Sequence, residues 1–387
     1  MKDKCFEYKC TRNANNCTEL NIMGIDLAVS GQVENQPTYV YGRYSGNTSL
    51  SLGEKMVSLY GLEYERFGEY KINKYICQIL ASGMACVTHL FFVFGSKNKE
   101  ILDECILADD LYYEILHYGR NLKGWKCHVV NPHNIDGILS KITDDTRFVM
   151  LDSCAIPFIG NIDIKAISEA VHKINPAVQV IVDNTSLTPY YYNPFEDGAD
   201  IVFESCTKYI NGFGDAVCGS LILPSLFRSE DLFANYTCIG NSVSPLSCYL
   251  VNRGLMTLAL RMNHITETGL FIVDWFRKNT FVDIAYAGVA GVICFIFTDS
   301  YAVYEDFIKQ LQIIKRGYSF GMNISVIDTV PDRRYVNERR SFYLRLSIGL
   351  ESKELLLEDL IQAWTCVYNK YKWNMKNGFL WYSDLEV

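Results

Sequence analysis

The sequence predicts an α/β protein whose larger domain is built on a mainly parallel sheet. Short β-branched, apolar runs stand at Phe148–Leu151, Val178–Val182, Ile201–Phe203 and Val217–Leu223. Each is bounded by polar or Gly/Pro-containing stretches, the pattern of buried strands. Helical stretches alternate with them: one begins after Thr48 or Ser51, one is capped by Ser82, and others cover 252–262, 301–314 and Lys353 to Tyr371. Strands alternating with helices form parallel sheets, because a helix must carry the chain back to start each new strand. A further strand is expected at Gly288–Phe297. Residues 1–60 are expected to be an N-terminal arm, residues 61–250 the large domain and residues 251–387 a smaller C-terminal domain.

With 387 residues, 49% of them hydrophobic, the chain can bury a sizeable core. A net charge of −8 argues against nucleic acid as a partner. No apolar run reaches bilayer length, and MKDKCFEYKC has no signal-peptide core, so a cytoplasmic protein without a membrane partner is expected. The 14 cysteines show neither a CxxC pair nor a zinc-type Cys/His cluster, and no metal site is expected. Cys77, Cys86, Cys218, Cys248 and Cys294 read as small core residues, and free thiols are the default for the rest. A metal or disulfide role for Cys5, Cys10 and Cys17, in the polar N-terminal segment, is the alternative.

Chemistry concentrates between Val178 and Leu223. Asp183 ends one strand, and Ser205-Cys206-Thr207-Lys208 follows the next. A lysine can form a Schiff base, a carboxylate can keep a pyridine nitrogen protonated, and neighbouring hydroxyls can bind a phosphate ester. Together they suit pyridoxal 5'-phosphate. At Ser82-Gly83-Met84, Ser82 can cap a helix, Gly83 allows close backbone approach, and free N–H groups at the helix start bind phosphate.

Asp183-Asn184-Thr185, Thr188-Pro189-Tyr190, Asn193-Pro194, Gly198-Ala199-Asp200 and Ser205-x-Thr207-Lys208-Tyr209 follow one another in one order. This succession resembles the Cys/Met-metabolism family of pyridoxal-phosphate enzymes, and the likeness extends from about Tyr41 to Trp364. The resemblance implies fold type I, the aspartate-aminotransferase-like fold, with Lys208 as the catalytic, cofactor-bearing lysine and Asp183 on the pyridine nitrogen. It implies phosphate contacts from Ser82, Gly83, Met84, Ser205 and Thr207. Tyr112 is implied to stack on the ring and assist proton transfer. Tyr41 and Arg43 resemble the Tyr-x-Arg pair that reaches a partner subunit's cofactor, which implies a homo-oligomer, a dimer of dimers. Arg345, in Leu344-Arg345-Leu346-Ser347-Ile348-Gly349, is implied to clamp the α-carboxylate of an amino-acid substrate, and Ser319 to lie beside it.

The chain departs from the family pattern at several positions, among them Asn323, where the family commonly has Glu, and three others. The family glycine after the stacking tyrosine falls on Tyr113, and Glu114 follows, which would alter charge near the substrate side chain. A shift of one residue would make Tyr113 the stacking residue instead. The family asparagine that donates to the cofactor's phenolic oxygen falls on Ile156, which cannot donate. The implied reaction is β- or γ-elimination or replacement on a sulfur-containing amino acid, of the carbon–sulfur lyase or transsulfuration type. A specialised γ-replacement enzyme and a cofactor-binding homologue without turnover are the alternatives.

Overall fold

The computed structural model describes residues 25, 30–32, 39–41, 43, 46–64, 74–95, 102–155, 162–227, 238–279, 283–287, 291–296, 300–331, 342–371, 374–376 and 379–381. The chain divides into two compact units: 1–155, 160–211 and 215–259 in the first, 156–159, 212–214 and 260–387 in the second. Among the described residues no helix is long and apolar enough to cross a membrane.

The first unit contains a two-stranded antiparallel ribbon, β1 (Ser30–Gln32) with β2 (Tyr39–Tyr41), then helix α1 (Asn47–Leu59). Its main sheet uses β3 (Tyr75–Leu80), β4 (Asp103–Ala108), β5 (Trp125–Val130), β6 (Thr146–Asp152), β7 (Gln179–Asp183), β8 (Ile201–Glu204) and β9 (Gly219–Pro224). Helices α2 (Gly83–Phe94), α3 (Tyr113–Asn121), α4 (Ile135–Leu139), α5 (Ile164–Ile174), α6 (Thr188–Tyr191) and α7 (Pro245–Leu255) connect and cover it. The strand order is β3-β9-β8-β7-β6-β4-β5. β5, β4, β6, β7 and β8 are mutually parallel, whereas β9 runs antiparallel to β8 and β3. The expected mainly parallel α/β sheet is therefore present.

The central strands explain their own legibility. Val180, Ile181 and Val182 of β7, Val149, Met150 and Leu151 of β6, and Ile201 and Val202 of β8 are all fully buried. A strand covered on both faces reads as a continuous apolar run rather than an alternation. Burying each such side chain contributes about 1.5–3 kcal/mol. Helix α5 shows the complementary pattern: Ile164, Ile167 and Val171 face the core, and the Asp163 side chain caps it by accepting from the Ala166 N–H at 2.9 Å.

Two boundaries differ from expectation. The chain before Gly219 belongs to the lysine loop rather than to β9, because Cys218 bonds side-on to Thr207 instead of continuing the ladder. Helix α1 starts at Asn47, with Gly46 in the capping position, its N–H donating to the Ser49 hydroxyl at 3.1 Å.

The second unit has a five-stranded sheet of order β10-β11-β14-β13-β12, from β10 (Asp283–Ala287), β11 (Val292–Ile296), β12 (Lys315–Arg316), β13 (Val326–Pro331) and β14 (Phe342–Ser347). All its pairings are antiparallel except β12 with β13. Helices α8 (Leu258–Asn279, of which residues from 260 lie in this unit), α9 (Tyr301–Gln310) and α10 (Lys353–Tyr371) accompany it, with a short ribbon of β15 (Asn374–Lys376) and β16 (Phe379–Trp381). The strand expected over Gly288–Phe297 is β11; Gly291, just before it, takes a left-handed φ of 64°.

Candidate active site

Four parallel strands bring their C-terminal ends to one edge of the main sheet, the position at which open α/β sheets bind ligands. β4 leads into Asp110 and Tyr112, β6 ends at Asp152, β7 ends at Asp183, and β8 leads into Ser205 and Lys208. Asp152 and Asp183 are register partners on adjacent strands. Distant parts of the sequence thus converge through sheet topology alone.

Asp183 is buried, and its Oδ1 accepts two hydrogen bonds from Thr185: from the backbone N–H at 3.0 Å and from the hydroxyl at 2.5 Å. The same Thr185 oxygen accepts from the Ser205 N–H at 2.8 Å. One threonine therefore ties the carboxylate at the end of β7 to the loop that bears Lys208. Burial pushes the Asp183 carboxyl up to about 6, against the pull of the two Thr185 bonds. Among the described residues no counter-charge is set against this carboxylate. A protonated ring nitrogen is a suitable one.

The Lys208 loop is held from several sides. Thr207 donates its N–H to the Cys218 carbonyl at 3.2 Å, and its hydroxyl accepts from the Cys218 N–H at 3.1 Å. Lys208 donates its own N–H to the Ser205 carbonyl at 3.1 Å. Asn211 donates to the Cys206 carbonyl at 2.9 Å through its backbone and to Asp215 at 2.9 Å through its side chain. Arg253 of α7 grips the other Asp215 oxygen at 3.1 Å. A Cβ at Gly254 would stand 2.1 Å from the Asn211 carbonyl oxygen, so α7 approaches the loop more closely than any side chain permits. Gly254→Ala is expected to lower stability by roughly 2–3 kcal/mol. Thermal unfolding should show the drop, with retained cofactor absorbance disappearing at a lower temperature than in the parent.

The start of α2 meets this loop. The Ser82 hydroxyl accepts from the Ala85 N–H at 3.0 Å as N-cap, leaving Gly83 and Met84 at the open end of a 12-residue helix. A Cβ on Gly83 would lie 2.8 Å from the Ser205 Cβ, so only glycine allows the helix end and the serine to sit this close. N–H groups at a helix N-terminus beside serine and threonine hydroxyls form a phosphate cradle.

Three groups near this edge had no clear signal in the sequence. Burial, then the Asp183 charge, pushes the Asp152 carboxyl well above its usual range. Burial, then Asp109, pushes Asp110 up to about 6. Below the lysine loop, Tyr60 donates to buried Glu204 and accepts from the Asn184 amide at 3.0 Å. Burial holds Glu204 well above the ordinary carboxylate range. Thr188, buried six positions before Pro194, is the one non-glycine with positive φ among the described residues, at 58°. A β-branched residue is strained there.

The other predicted residues fall as follows. Tyr112 caps α3 and is 56% exposed, leaving its ring surface accessible. Tyr113 stacks on His117 with ring centres 5.9 Å apart, and Glu114 is an exposed residue of the first turn of α3. Arg43 is exposed, its carbonyl accepting from the Ser242 hydroxyl at 3.1 Å. Tyr41 lies in β2; Ile156 and Pro157 lie outside the described residues, as do Cys5, Cys10 and Cys17. Arg345 and Ser319 belong to the second unit. Arg345 stands on β14 between Cys294 and Asp328, donates to the Tyr318 carbonyl, and lies 6.0 Å from the Phe320 ring centre. Asp359 holds the entry to the neighbouring loop, accepting from the N–H groups of Gln312, Ile313 and Ile314 at 2.8–3.0 Å. Glu351 holds its exit, accepting from the Ser325 N–H at 2.8 Å and hydroxyl at 2.7 Å.

The donor set fits pyridoxal phosphate: a buried carboxylate with no cation against it among the described residues, a lysine on the adjoining loop, and a helix-end cradle shaped by Gly83. An α/β sheet with this set at its C-terminal edge defines a pyridoxal-phosphate enzyme. The sequence matches the family of Cys/Met metabolism PLP-dependent enzymes over residues 23–365, and the chain belongs to that family. Cystathionine gamma-lyase of Macaca fascicularis is 31% identical over 358 residues, covering 84% of this chain and 83% of the relative. L-methionine gamma-lyase of Treponema denticola is 26% identical over 355 residues, covering 84% of each. Among solved structures, cystathionine gamma-lyase from Lactobacillus plantarum complexed with L-serine superposes with a TM-score of 0.79 at 22% identity, covering 94% of this chain and 99% of that one. The chain is a PLP-dependent enzyme with the fold type I architecture.

Proposed function

We propose that this enzyme catalyses β- or γ-elimination or replacement on a sulfur-containing amino acid, as a carbon–sulfur lyase or transsulfuration enzyme. The observation that carries the reading is the Asp183–Thr185–Ser205 linkage, which couples the buried carboxylate to the loop of Lys208. The names of the relatives, lyases of cystathionine and methionine, support the substrate class. Bound here, pyridoxal phosphate supplies an electron sink for negative charge at the substrate Cα. Lys208 would hold the cofactor covalently in the resting enzyme and, once released, would take the Cα proton as general base. Asp183 keeps the proton on the ring nitrogen. Ser82, Gly83, Met84, Ser205 and Thr207 would bind the phosphate, and Tyr112 would stack on the ring and assist proton transfer. Arg345 clamps the substrate carboxylate through its planar fork, Ser319 lies beside it, and Glu114 biases side-chain choice.

Incubation of purified enzyme with cystathionine, methionine, homocysteine, cysteine and O-acetylhomoserine, read by mass spectrometry, tests this. Turnover of at least one is expected. Spectral change with no product from any of them would instead identify a binding homologue.

The same reading makes the enzyme a homo-oligomer of paired subunits, with Tyr41 and Arg43 reaching the partner's phosphate. The exposure of Arg43 supports this. Refolding a mixture of Arg43→Ala and Lys208→Ala chains should restore activity to about a quarter of the parent's, because random pairing makes half the dimers hybrid with one intact site each. Activity no higher than either variant alone would remove the shared site. A reducing, cytoplasmic setting belongs to the proposal as well, since the cysteines among the described residues are free thiols.

A further inference from the structure

Cys105 and Cys127 are 22 positions apart in sequence, yet the parallel register of β4 against β5 sets them directly opposite one another. Their sulfurs are 3.0 Å apart. Neighbouring strands run about 4.8 Å apart, inside the Cα separation that a disulfide spans. Register partners project from the same face, so joining them requires side-chain rotation and no backbone movement.

The two sulfurs are not equivalent. Cys105 is fully buried, whereas Cys127 is partly exposed on β5, the edge strand of the sheet. The Cys105 thiol donates to the Cys127 sulfur and draws the Cys127 thiol below its ordinary range, while burial, then that hydrogen bond, pushes Cys105 up. As a thiol, Cys127 instead donates to the Gly119 carbonyl of α3 at 3.0 Å. A partly exposed cysteine with its thiol drawn down, backed by a buried thiol, is the arrangement of a nucleophile with its resolving partner. Neither residue has a task in the reaction proposed above.

We propose that Cys105 and Cys127 form a reversible dithiol–disulfide couple that reacts with low-molecular-weight disulfides. The Cys127 thiolate attacks one sulfur of the reagent, whose S–S bond breaks and releases one thiolate. Cys105 then attacks the Cys127 sulfur, breaking the mixed disulfide and releasing the second thiolate. The protons given up by the two cysteines go to the two released thiolates. Two cysteine thiols are oxidised by two electrons and the reagent is reduced to two thiols. A reducing thiol pool runs the exchange backwards.

The test treats the full-length holoenzyme with oxidised glutathione, blocks remaining thiols, and maps tryptic peptides. Cys105 lies in the peptide 100–120 and Cys127 in 127–141, each with a single cysteine, so a cross-link is unambiguous. The expected result is one linked pair whose mass is that of the two peptides less two hydrogens, lost again on reduction. In Cys105→Ala the mixed disulfide at Cys127 should accumulate instead, because no resolving thiol remains. Stable glutathione on Cys127 of the parent protein with Cys105 unlinked would overturn the proposal. So would full alkylation of both cysteines after prolonged oxidation. The parent-protein measurement stands even where the variant fails to fold.

Discussion

Lys208→Ala protein is expected to lose the visible absorption of the lysine-bound cofactor on dialysis, and its turnover should fall by roughly a hundred- to ten-thousandfold. The two losses have one cause. In the proposed mechanism a single amine would hold the cofactor covalently and remove the Cα proton, and alanine could do neither. The fold should survive, because Lys208 is only half-buried and the loop is fixed by its neighbours: Thr207 through Cys218, and Asn211 through Asp215 and Arg253. Far-ultraviolet circular dichroism of parent and variant should therefore coincide. Borohydride reduction of the parent, followed by peptide mapping, should place the retained cofactor mass on the peptide containing Lys208. A variant that keeps the visible band after dialysis, or cofactor mass mapped to another lysine, would remove Lys208 from this role.

The sequence made the centre of this fold readable and left its margins obscure, for a physical reason. β6, β7 and β8 are covered on both faces and declare themselves as apolar runs. β4 and β5 do not, because they carry polar groups whose partners lie far away in sequence. Glu104 is buried at the start of β4; burial works against its charge, but hydrogen bonds from Lys126, His128 and Thr143 prevail and hold its carboxyl below the usual range. Beside it, Asp103 pairs with Arg147 of β6 at 2.7 Å. In isolation Asp103-Glu104 reads as a surface stretch, and only the assembled sheet neutralises it. The Cys105–Cys127 pair was hidden likewise, since no spacing rule anticipates a register.

The candidate site divides along the same line. The placement of Asp183, Lys208 and Ser82-Gly83 at this edge was legible because each is a chemically distinctive residue at the end of a regular element. Thr185 and the Tyr60–Glu204–Asn184 group were not, because their roles consist in whom they touch. Thr185 is an ordinary turn residue until β7 and β8 pair and bring the Ser205 N–H within 2.8 Å of its hydroxyl. The contrast separates residues identified by their own chemistry from those identified by company.

Asp183→Asn should reduce turnover by roughly a hundred- to a thousandfold, the usual effect of removing one preorganised electrostatic partner from a buried site. Asparagine keeps the size of the side chain and can still accept the Thr185 bonds, but it cannot hold the ring nitrogen protonated. The pH dependence gives a second, independent readout. Without a cation beside it, the Asp183 carboxyl sits at about 6, above its ordinary value. A carboxyl raised in the folded state contributes stability below its unfolded value and loses it as the pH climbs, here between about pH 4 and 6. Above that window, keeping the buried group ionised costs the cofactor-free protein roughly 3 kcal/mol. A protonated ring nitrogen removes that cost, so the stabilisation conferred by the cofactor should grow as the pH rises toward 6 and then level off. The melting-temperature difference between cofactor-loaded and cofactor-free protein, measured from about pH 5 to 8, should show this rise in the parent and be flat in Asp183→Asn. Asp152 provides the control. Burial, then the Asp183 charge, pushes its carboxyl well above the usual range, so Asp152→Asn should preserve the slope. A slope that persists in Asp183→Asn and vanishes in Asp152→Asn would assign the ring-nitrogen partner to the wrong strand.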